Sequence, residues 1–488
     1  MFKIEVYKNY IDGKWVSSNS KKTFSSLNPT NENAIGRFQL SNKRDIDLAV
    51  KSAEDSYWEW SSMPAPERAE ILFEVVRLLK KDKQRLGKLE TIEMGKVLKE
   101  GLGDVQEAID IFEYMAGEGR RLFGHTTPSE LKNKVAYTVR MPVGVFGLIT
   151  PWNFPIAIPA WKLAPALICG NTVVFKPSSD TPLCAIELMK ILEKSGLPKG
   201  VVNLITGSAK DTGEAIVKHP RIRGISFTGS KFTGEWIVKN AGLKKVGLEL
   251  GGKNAIIVMD DADIEMALDG IIWGGFGTTG QRCTAASRVI AHEDIKNELN
   301  DKLISMTEKL KLGDGLKEST DIGPLVNKKA VEKTDYYVGV GKKEKAKLMC
   351  GGEQLKGKGF FYKPTIFTDV NEKMRIAKEE IFGPVVSVLS VKDIDEAIKV
   401  CNNIEYGLSS AIYTNDINKA FKAIEKIEAG LTYVNSSTIG SEVHLPFGGV
   451  KHTGHGRETG IEGLHEFSET KTVYIDYSGK LQKAQGID

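Results

Sequence analysis

Apolar residues in the first 120 positions of the chain recur at helical spacing. Three stripes repeat every three to four residues, which is typical of helices that bury one face. They consist of Ile46, Ala49, Val50 and Ala53; Ile71, Val75, Leu78 and Leu79; and Val105, Ala108, Ile109 and Phe112. The pattern predicts three amphipathic helices in this part of the chain.

Further along, short apolar runs replace the helical pattern. Four strand-like runs lie at 145–149, 172–176, 201–205 and 224–228, with a helical stretch at 183–192. Strand–helix–strand units at this interval predict a parallel sheet, which binds ligands at the carboxyl ends of its strands. A second α/β series follows residue 252, with helical patterns at 262–273, 295–310, 393–403 and 417–427 and apolar runs near 287–291, 384–391 and 431–435.

Two other segments have strand character but no evident partner. The segment 117–140 is first polar and then β-like, which predicts an exposed hairpin, and the tail SETKTVYIDYS is also strand-like. Because exposed edge strands readily pair with other chains, we expect an inter-subunit sheet to pair both segments.

Composition and charge exclude several classes of protein. The 488 residues include 67 Lys and Arg against 63 Asp and Glu, a net charge of +4, so no strong field favours nucleic acid or an anionic membrane. Five scattered cysteines without a CxxC pair are typical of a reduced, intracellular protein. His452 and His455 lie in a glycine-rich stretch, and we expect no metal site there.

No membrane segment is expected either. The N-terminal residues MFKIEVYKNYIDGKW are charged and lack the apolar core of a signal peptide. The most apolar stretch, 143–161, is long enough to span a bilayer, but Pro151, Pro155 and Pro159 interrupt it. We therefore expect a cytoplasmic protein.

Three glycine-containing motifs resemble phosphate-binding loops. The GxGxxG match at 275–280 follows a helical pattern instead of a strand, and the near P-loop at 247–253 is followed by Asn254 where Ser or Thr would hold magnesium. The segment 227–234 is a better candidate, because it follows a predicted strand and opens a helix whose N-terminal amides favour a phosphate. On its own it is equally compatible with a simple βα turn.

Three residues are candidates for catalysis, each with a structural alternative. Cys283, beside Arg282 in a loop of small residues, is either an accessible nucleophile or a buried inert thiol. Glu249, between two leucines, is either a desolvated general base with a raised pKa or a solvated edge-strand carboxylate. Asn153 follows the strand 145–149 and either donates to an oxyanion or stabilises a turn.

Seven motifs in this order resemble the aldehyde dehydrogenase superfamily, and the resemblance extends from YIDGKW near residue 10 to ETKTVYID near 476. The motifs are TPWNFP (150–155), KLAPALICGNTVVFKPS (162–178), FTGS (227–230), LELGGKN (248–254), GQRC (280–283), EEIFGPV (379–385) and PFGGVKHTGHGRE (446–458). The resemblance implies that Cys283 attacks an aldehyde, that Asn153 stabilises the oxyanion and that Glu249 activates water to hydrolyse a thioester.

The resemblance also implies an α/β fold with two doubly wound domains and a small β oligomerisation element. The cofactor-binding domain would comprise 1–118 and 140–251, the catalytic domain 252–465, and the oligomerisation element 119–139 and 466–488. Residues expected to bind NADP or NAD are Thr150, Trp152, Lys176, Ser179, Gly207, Phe227, Gly229, Ser230, Leu250, Glu380 and Phe382. Residues expected to line the aldehyde tunnel are Phe154, Trp161, Arg282, Thr284 and Phe447, with the loop 436–447.

The cofactor, the substrate and the reaction class are less sharply defined. Serine occupies position 179, where NAD-preferring relatives carry glutamate, so we expect NADP to bind better than NAD. The segments around Cys283 and 438–449 resemble the subgroup that oxidises carboxylated semialdehydes such as 2-oxoglutarate semialdehyde; glyceraldehyde, aminoadipate semialdehyde and aliphatic aldehydes are alternatives. Two other reaction classes are alternatives. A coenzyme A-acylating relative typically lacks the glutamate at position 249, so Glu249 favours water as the acyl acceptor. A cysteine hydrolase would work without NAD(P).

Overall fold

The computed structural model describes residues 4–485. As far as residue 249 the elements are β1 (Asn9–Ile11), β2 (Lys14–Val16), β3 (Thr23–Leu27), β4 (Ala34–Gln39), α1 (Lys43–Asp55), α2 (Tyr57–Ser62), α3 (Ala65–Met94), α4 (Leu98–Glu118), β5 (Thr126–Pro128), β6 (Lys134–Pro142), β7 (Val145–Ile149), α5 (Ala157–Ile168), β8 (Thr172–Lys176), α6 (Pro182–Lys194), β9 (Val202–Leu204), a π-helical turn (Ala209–Gly213), α7 (Glu214–Lys218), β10 (Gly224–Thr228), α8 (Lys231–Asn240) and β11 (Lys245–Glu249).

The remaining elements form the second half of the chain. They are β12 (Asn254–Val258), α9 (Ile264–Phe276), a 3₁₀ turn (Gly277–Gly280), β13 (Ala286–His292), α10 (Lys296–Glu308), α11 (Lys328–Lys343), β14 (Lys347–Cys350), β15 (Thr365–Thr368), α12 (Arg375–Lys378), β16 (Val385–Val391), α13 (Ile394–Asn402), β17 (Tyr406–Gly407), β18 (Ser409–Tyr413), α14 (Ile417–Lys426), β19 (Leu431–Val434), β20 (Val450–Lys451), β21 (Gly454–His455), α15 (Gly460–Glu466) and β22 (Ser468–Asp476).

The first sheet has eight strands in the order β2-β1-β9-β8-β7-β10-β11-β21. Its five central strands, β9 to β11 in that order, run parallel, while β1, β2 and β21 are antiparallel additions at the edges. The direction of winding reverses between β7 and β10, and such a switch point opens a crevice at the carboxyl ends of the strands. The predicted strands 145–149, 172–176 and 224–228 are confirmed as β7, β8 and β10.

Both faces of this sheet are covered, which accounts for its continuous apolar runs. In β8 the fully buried Val173 packs with α3 to α6, whereas its neighbour Val174 packs on the opposite face with α1, α7 and α8. Successive side chains of a strand point to opposite faces, so a strand between two helical layers needs an apolar residue at nearly every position. The sheet is therefore doubly wound, as predicted.

The second sheet has seven strands in the order β14-β15-β16-β13-β12-β18-β19. All of them are parallel except β14 at one edge. Ile256 and Ile257 of β12 again belong to separate apolar clusters on the two faces, so this sheet is doubly wound as well. Four of its seven strands, β12, β14, β15 and β18, were not predicted from the sequence pattern, and neither was the helix α11.

The two segments without an evident partner form a third, antiparallel sheet in the order β22-β6-β5. β22 pairs with β6 along its whole length, from Ser468 opposite Pro142 to Asp476 opposite Lys134. We expected an inter-subunit sheet to pair both segments, whereas within this chain they pair with each other. Pairing of this sheet with another subunit stays a prediction. Residues 486–488 of the predicted oligomerisation element and 1–3 of the predicted cofactor domain lie outside the described residues.

Within residues 4–485, no helix combines the length and apolar character needed to cross a membrane. The same part of the chain contains no group of three or more His, Cys, Asp or Glu side chains arranged to hold a metal ion.

Candidate active site

Asn153 lies in the loop that joins β7 to α5, at the switch point of the first sheet. It is 3% exposed, and its Nδ2 donates to the backbone oxygen of Gln281 at 3.0 Å. Gln281 is itself buried, and its Oε1 accepts a hydrogen bond from the backbone N–H of Val326 at 2.9 Å. These contacts hold the Asn153 amide against the segment that leads into Cys283.

Cys283 lies in the loop between the 3₁₀ turn and β13. This loop turns sharply at Gly280, whose φ is +68° and whose added Cβ would lie only 2.3 Å from a backbone oxygen, so glycine is required there. Asn254, the first residue of β12, donates from Nδ2 to the backbone oxygens of Cys283 at 2.7 Å and Ala285 at 3.0 Å. The second sheet thus anchors the loop that carries the thiol.

The Cys283 thiol is partly exposed but has an unfavourable setting for its charged form. Burial, and then the carboxyls of Glu249 and Glu380, raise its pKa to about 12. Arg282 does not offset this effect, because its guanidinium pairs with Glu100 at 3.1 Å. The thiol is therefore protonated at neutral pH. Because the thiolate is the nucleophile, the reaction needs an acceptor for the thiol proton.

Glu249 ends β11 and is 5% exposed, so the solvated alternative is wrong. Within the described residues its Oε2 is buried without a hydrogen-bond partner. Burial and the nearby Glu458 raise the pKa of Glu249 well above its usual value, and the positive charge of Lys162 offsets part of that rise. Lys162 in turn forms an ion pair with Glu458 and donates to Ser226 Oγ at 2.9 Å.

A cavity of about 570 Å³, here called the wide cavity, opens beside Cys283. Glu249 lines it, and so do all five residues expected to line the aldehyde tunnel: Phe154, Trp161, Arg282, Thr284 and Phe447. The rings of Trp161 and Phe447 pack with centroids 4.8 Å apart. The loop 439–444 and residues of α4 also line this cavity.

On the other side of Cys283 lies the narrow cavity, of about 300 Å³. Seven of the residues expected to bind cofactor or oxyanion line it: Trp152, Asn153, Gly229, Ser230, Leu250, Glu380 and Phe382. Trp152 and Phe382 pack edge to face with centroids 5.4 Å apart. Cys283 and Leu250 line both the wide and the narrow cavity, so the thiol lies at their junction.

A third cavity of about 320 Å³, the Lys176 cavity, lies at the carboxyl ends of β7, β8 and β10. Lys176 and Phe227 line it. Lys176 is 5% exposed, its Nζ donates to the backbone oxygen of Pro177 at 3.0 Å, and burial lowers its pKa to about 8. A buried ammonium with a single backbone partner fits the hydroxyl or phosphate oxygens of a nucleotide.

Close backbone approach also fits a bound dinucleotide. Gly229 comes just before α8, and a Cβ there would lie 2.4 Å from the Phe227 ring. Ser230 caps α8 by accepting a hydrogen bond from the backbone N–H of Thr233 at 3.3 Å, so β10, turn and helix follow one another as the 227–234 motif predicted. Backbone amides at such a helix end favour a phosphate group.

Three predicted cofactor residues do not line these cavities. Thr150 is buried, and its Oγ1 lacks a hydrogen-bond partner within the described residues. Ser179 is exposed on the loop after β8. Gly207 has a φ of +158° and packs against Thr212. Their contribution to binding stays a prediction.

The structure adds cavity residues that the motifs did not indicate. Lys210 and Trp236 line the Lys176 cavity, Lys329 and Lys333 of α11 line the narrow cavity, and Glu107 of α4 lines the wide cavity. The four charged residues among them lie on a polar helix face or a turn that a sequence pattern assigns to solvent. The only signal was indirect: α4 was predicted to be amphipathic, and its polar face had no assigned neighbour.

Comparisons with known proteins agree with this geometry. The model of the Aldehyde dehydrogenase family matches residues 15–473. An α-ketoglutarate semialdehyde dehydrogenase from Haloferax volcanii is 43% identical over 96% of this chain and 99% of that protein, and a D-glyceraldehyde dehydrogenase (NADP(+)) from Picrophilus torridus is 41% identical over 96% of each. A crystal structure of betaine aldehyde dehydrogenase from Staphylococcus aureus with NAD+ superposes with a TM-score of 0.96, at 35% identity over 99% of this chain and 97% of that one.

The family match thus covers every segment that contributes to the three cavities. These segments include Cys283, which lines both the wide and the narrow cavity, Glu249 in the wide cavity and Asn153 in the narrow cavity. On both the extent of the match and the arrangement of the site, the chain belongs to the aldehyde dehydrogenase family.

Proposed function

We propose that the protein oxidises a carboxylated semialdehyde, such as 2-oxoglutarate semialdehyde, to the corresponding carboxylic acid with Cys283 as nucleophile. Family membership makes it an NAD(P)-dependent oxidoreductase that acts on aldehydes. The observation that carries the proposal is the position of Cys283 at the junction of the wide and narrow cavities, with Glu249 on one side and Asn153 on the other.

The first step is attack of Cys283 Sγ on the aldehyde carbon, and the thiol proton is released to solvent in the wide cavity. The carbonyl oxygen then becomes an oxyanion that the Asn153 amide and the backbone N–H of Cys283 stabilise as donors. Asn153 is fixed by its contact with Gln281, so it needs little reorganisation when the charge develops. The chemistry that a bound nicotinamide supplies is acceptance of the hydride, after which Cys283 carries a thioester.

The second step is hydrolysis of the thioester, for which Glu249 is the proposed general base. A carboxylate with a raised pKa is a stronger base than a solvated one, and Glu249 lines the same cavity as the thiol. It removes a proton from a water molecule that attacks the thioester carbon. The Cys283 sulfur leaves and takes up the proton held by Glu249, which regenerates the thiol and the carboxylate, and the acid is released.

The narrow and Lys176 cavities are the proposed cofactor site. Lys176 and Glu380 would hold the riboses, Trp152 and Phe382 the nicotinamide, and Gly229 with Ser230 the pyrophosphate; Thr150, Ser179, Gly207, Phe227 and Leu250 complete the site. NADP is the preferred cofactor in this proposal, because two lysines, Lys176 and Lys210, line the adenosine end and no acidic residue occupies position 179. A carboxylate at 179 would repel a 2′-phosphate.

The substrate assignment rests on relatives and on the wall of the wide cavity. Relatives named as α-ketoglutarate semialdehyde dehydrogenases support a carboxylated aldehyde, and Arg282 is a cation in that wall. The relative named as a D-glyceraldehyde dehydrogenase keeps glyceraldehyde as the second candidate. A kinetic screen of about a dozen aldehydes with each cofactor tests the proposal, with Cys283→Ala as the blank. A preference for unsubstituted aliphatic aldehydes over semialdehydes would contradict it.

For organisation, we propose that 1–118 with 140–251 forms the cofactor-binding domain, 252–465 the catalytic domain, and 119–139 with 466–488 an oligomerisation element. The outer edges of the third sheet support a homodimer or homotetramer, because no other strand of residues 4–485 pairs with them. A cytoplasmic location is proposed from the cysteines, all five of which are free.

A further inference from the structure

Glu107 is a carboxyl group in the wide cavity to which the mechanism assigns no task. It lies on α4, which crosses the wall of this cavity and also contributes Gly103, Gln106 and Asp110. Arg282 lines the same cavity from the loop that carries Cys283. The cavity thus brings a carboxyl and a guanidinium, distant in sequence, to one compartment.

Among the described residues, Glu107 differs from its neighbours on α4 in having no hydrogen-bond partner. Gln106 donates to Asp110 at 2.7 Å and accepts from Lys83 at 2.6 Å, so those two side chains are occupied. Within residues 4–485, no group donates to or accepts from the Glu107 carboxyl. A polar group on a cavity wall without a protein partner is available to a ligand.

The Glu107 carboxyl is also held in its neutral form around neutral pH. Burial and the nearby Asp104 raise its pKa to about 8, and Arg282 and Lys96 offset only part of that rise. Charged or titratable groups face it from its own helix and from three other segments: Asp104 and Asp110 on α4, Lys96 before α4, Arg282 before β13 and Tyr433 on β19. A neutral carboxyl carries an O–H donor that a carboxylate lacks.

Arg282 is anchored on one edge only. Its Nε donates to Thr278 Oγ1 at 2.8 Å and its Nη2 donates to Glu100 at 3.1 Å, and the guanidinium carbon lies 5.3 Å from the centre of the Phe154 ring. No hydrogen bond from Nη1 occurs among the described residues. The guanidinium is therefore fixed in place with donor capacity left over.

We propose that Glu107 is a specificity-determining residue that binds the distal carboxylate of the aldehyde by donating an O–H hydrogen bond to it, beside Arg282. The inference rests on the proposed function and deepens it, because it names the group that selects the carboxylated substrate. The Glu107 O–H and the Arg282 N–H groups are donors in the same cavity, and a carboxylate has enough lone pairs to accept from both. When Glu107 ionises, it loses its O–H donor and becomes an anion that repels the substrate carboxylate. Selection for the anionic aldehyde is therefore lost as the pH rises.

The test compares 5-oxopentanoate with pentanal, two aldehydes of equal chain length of which only the first is anionic. The ratio of their kcat/KM values is measured from pH 6.5 to 9.5 for wild type, Glu107→Gln and Glu107→Leu. A change of pH that affects Cys283 or Glu249 alters the oxidation of both aldehydes alike, so it cancels in the ratio. Glu113→Gln is the matched control, since Glu113 lies on the exposed face of α4 and pairs there with Lys80.

We expect the wild-type ratio to fall about tenfold between pH 7 and pH 9.5, since one hydrogen bond to a charged group is lost and a repulsion is gained. Glu107→Gln keeps a donor that does not ionise, so its ratio stays nearly constant with pH. Glu107→Leu lowers the ratio at pH 7 by about tenfold. Glu113→Gln follows the wild-type profile.

Two results would overturn this inference without affecting the proposed function. One is a wild-type ratio that does not change with pH while pentanal is still oxidised. The other is a Glu107→Leu ratio equal to that of wild type. A ratio that rises in Glu107→Leu would mean that Glu107 repels anions, which also overturns it. Absence of NAD(P)-dependent oxidation of both aldehydes by wild type would overturn the proposed function, and the inference with it.

Discussion

Replacing Glu249 with glutamine removes the proposed base of deacylation while preserving the size and polarity of the side chain. The acylation step does not use this carboxylate as the attacking group, so one turnover of the variant should still produce reduced cofactor. Hydrolysis of the thioester should then become the slow step. We expect a burst close to one equivalent of reduced cofactor per subunit, followed by a nearly stationary phase.

The magnitude follows from the setting of the carboxyl group. General-base catalysis by a positioned side chain contributes about 10²–10⁴ in rate. Glu249 is 5% exposed and its Oε2 has no partner within residues 4–485, so solvent cannot readily replace it as proton acceptor. The steady-state kcat should therefore fall at least about 100-fold, which corresponds to about 3 kcal/mol of activation free energy.

The pH dependence gives an independent check with a definite sign. Burial and Glu458 raise the pKa of Glu249, so the carboxyl is protonated, and inactive as a base, at pH values where a solvated glutamate would already be ionised. Wild-type deacylation should accelerate as the pH rises through this elevated pKa. In Glu249→Gln that acceleration should be absent.

Stopped-flow absorbance of the reduced cofactor measures both phases, and Glu265→Gln is a suitable control because Glu265 is an exposed partner of Lys302 on the surface. The control should turn over like wild type. A Glu249→Gln variant with an unchanged steady-state rate would refute the role of this residue as base. If both the burst and the steady-state turnover were lost, Glu249 would instead be needed before the thioester forms.

Three further predictions test the nucleophile, the cofactor and the assembly. Cys283→Ala should abolish oxidation of every aldehyde with cofactor binding nearly intact, as measured by fluorescence titration; activity within tenfold of wild type would exclude this assignment. Ser179→Glu should weaken NADP binding by at least about tenfold, because a charge contact near a partly buried phosphate is worth roughly 1–3 kcal/mol; a higher wild-type kcat/KM with NAD than with NADP would contradict the reasoning. Light scattering should give a dimer or tetramer, and a monomer at micromolar concentration would count against the proposed role of 119–139 and 466–478.

Sequence patterns predicted the central strands of the first sheet closely because both of its faces are buried. β7, β8 and β10 are short apolar runs without alternation, bounded by turns, which is the pattern of a strand covered on both faces. β18 was missed because it begins with two serines, Ser409 and Ser410, both buried, which resemble a turn. α11 was missed because only a few of its positions are apolar and buried, among them Val331 and Val338.

The antiparallel third sheet shows a different limit. Strand character in 134–142 and 468–476 was visible, but the two segments are more than 300 positions apart and neither carries a marker of its partner. Pairing over such a distance depends on where the intervening sheets bring the chain ends. An exposed strand therefore predicts that a partner exists, without indicating whether that partner lies in the same chain.

The environment of Glu249 is the clearest case in which sequence was insufficient. Flanking Leu248 and Leu250 predicted desolvation, and the structure agrees. However, the pKa of Glu249 also depends on Glu458 and on Lys162, an ion pair whose members are 296 positions apart. The motifs that contain them were recognised as family features, yet nothing in either motif indicates contact with the other. Desolvation can be read from neighbouring residues in the chain, whereas the charges that adjust a buried base are brought to it only by the packing of β11, α5 and the 446–458 segment.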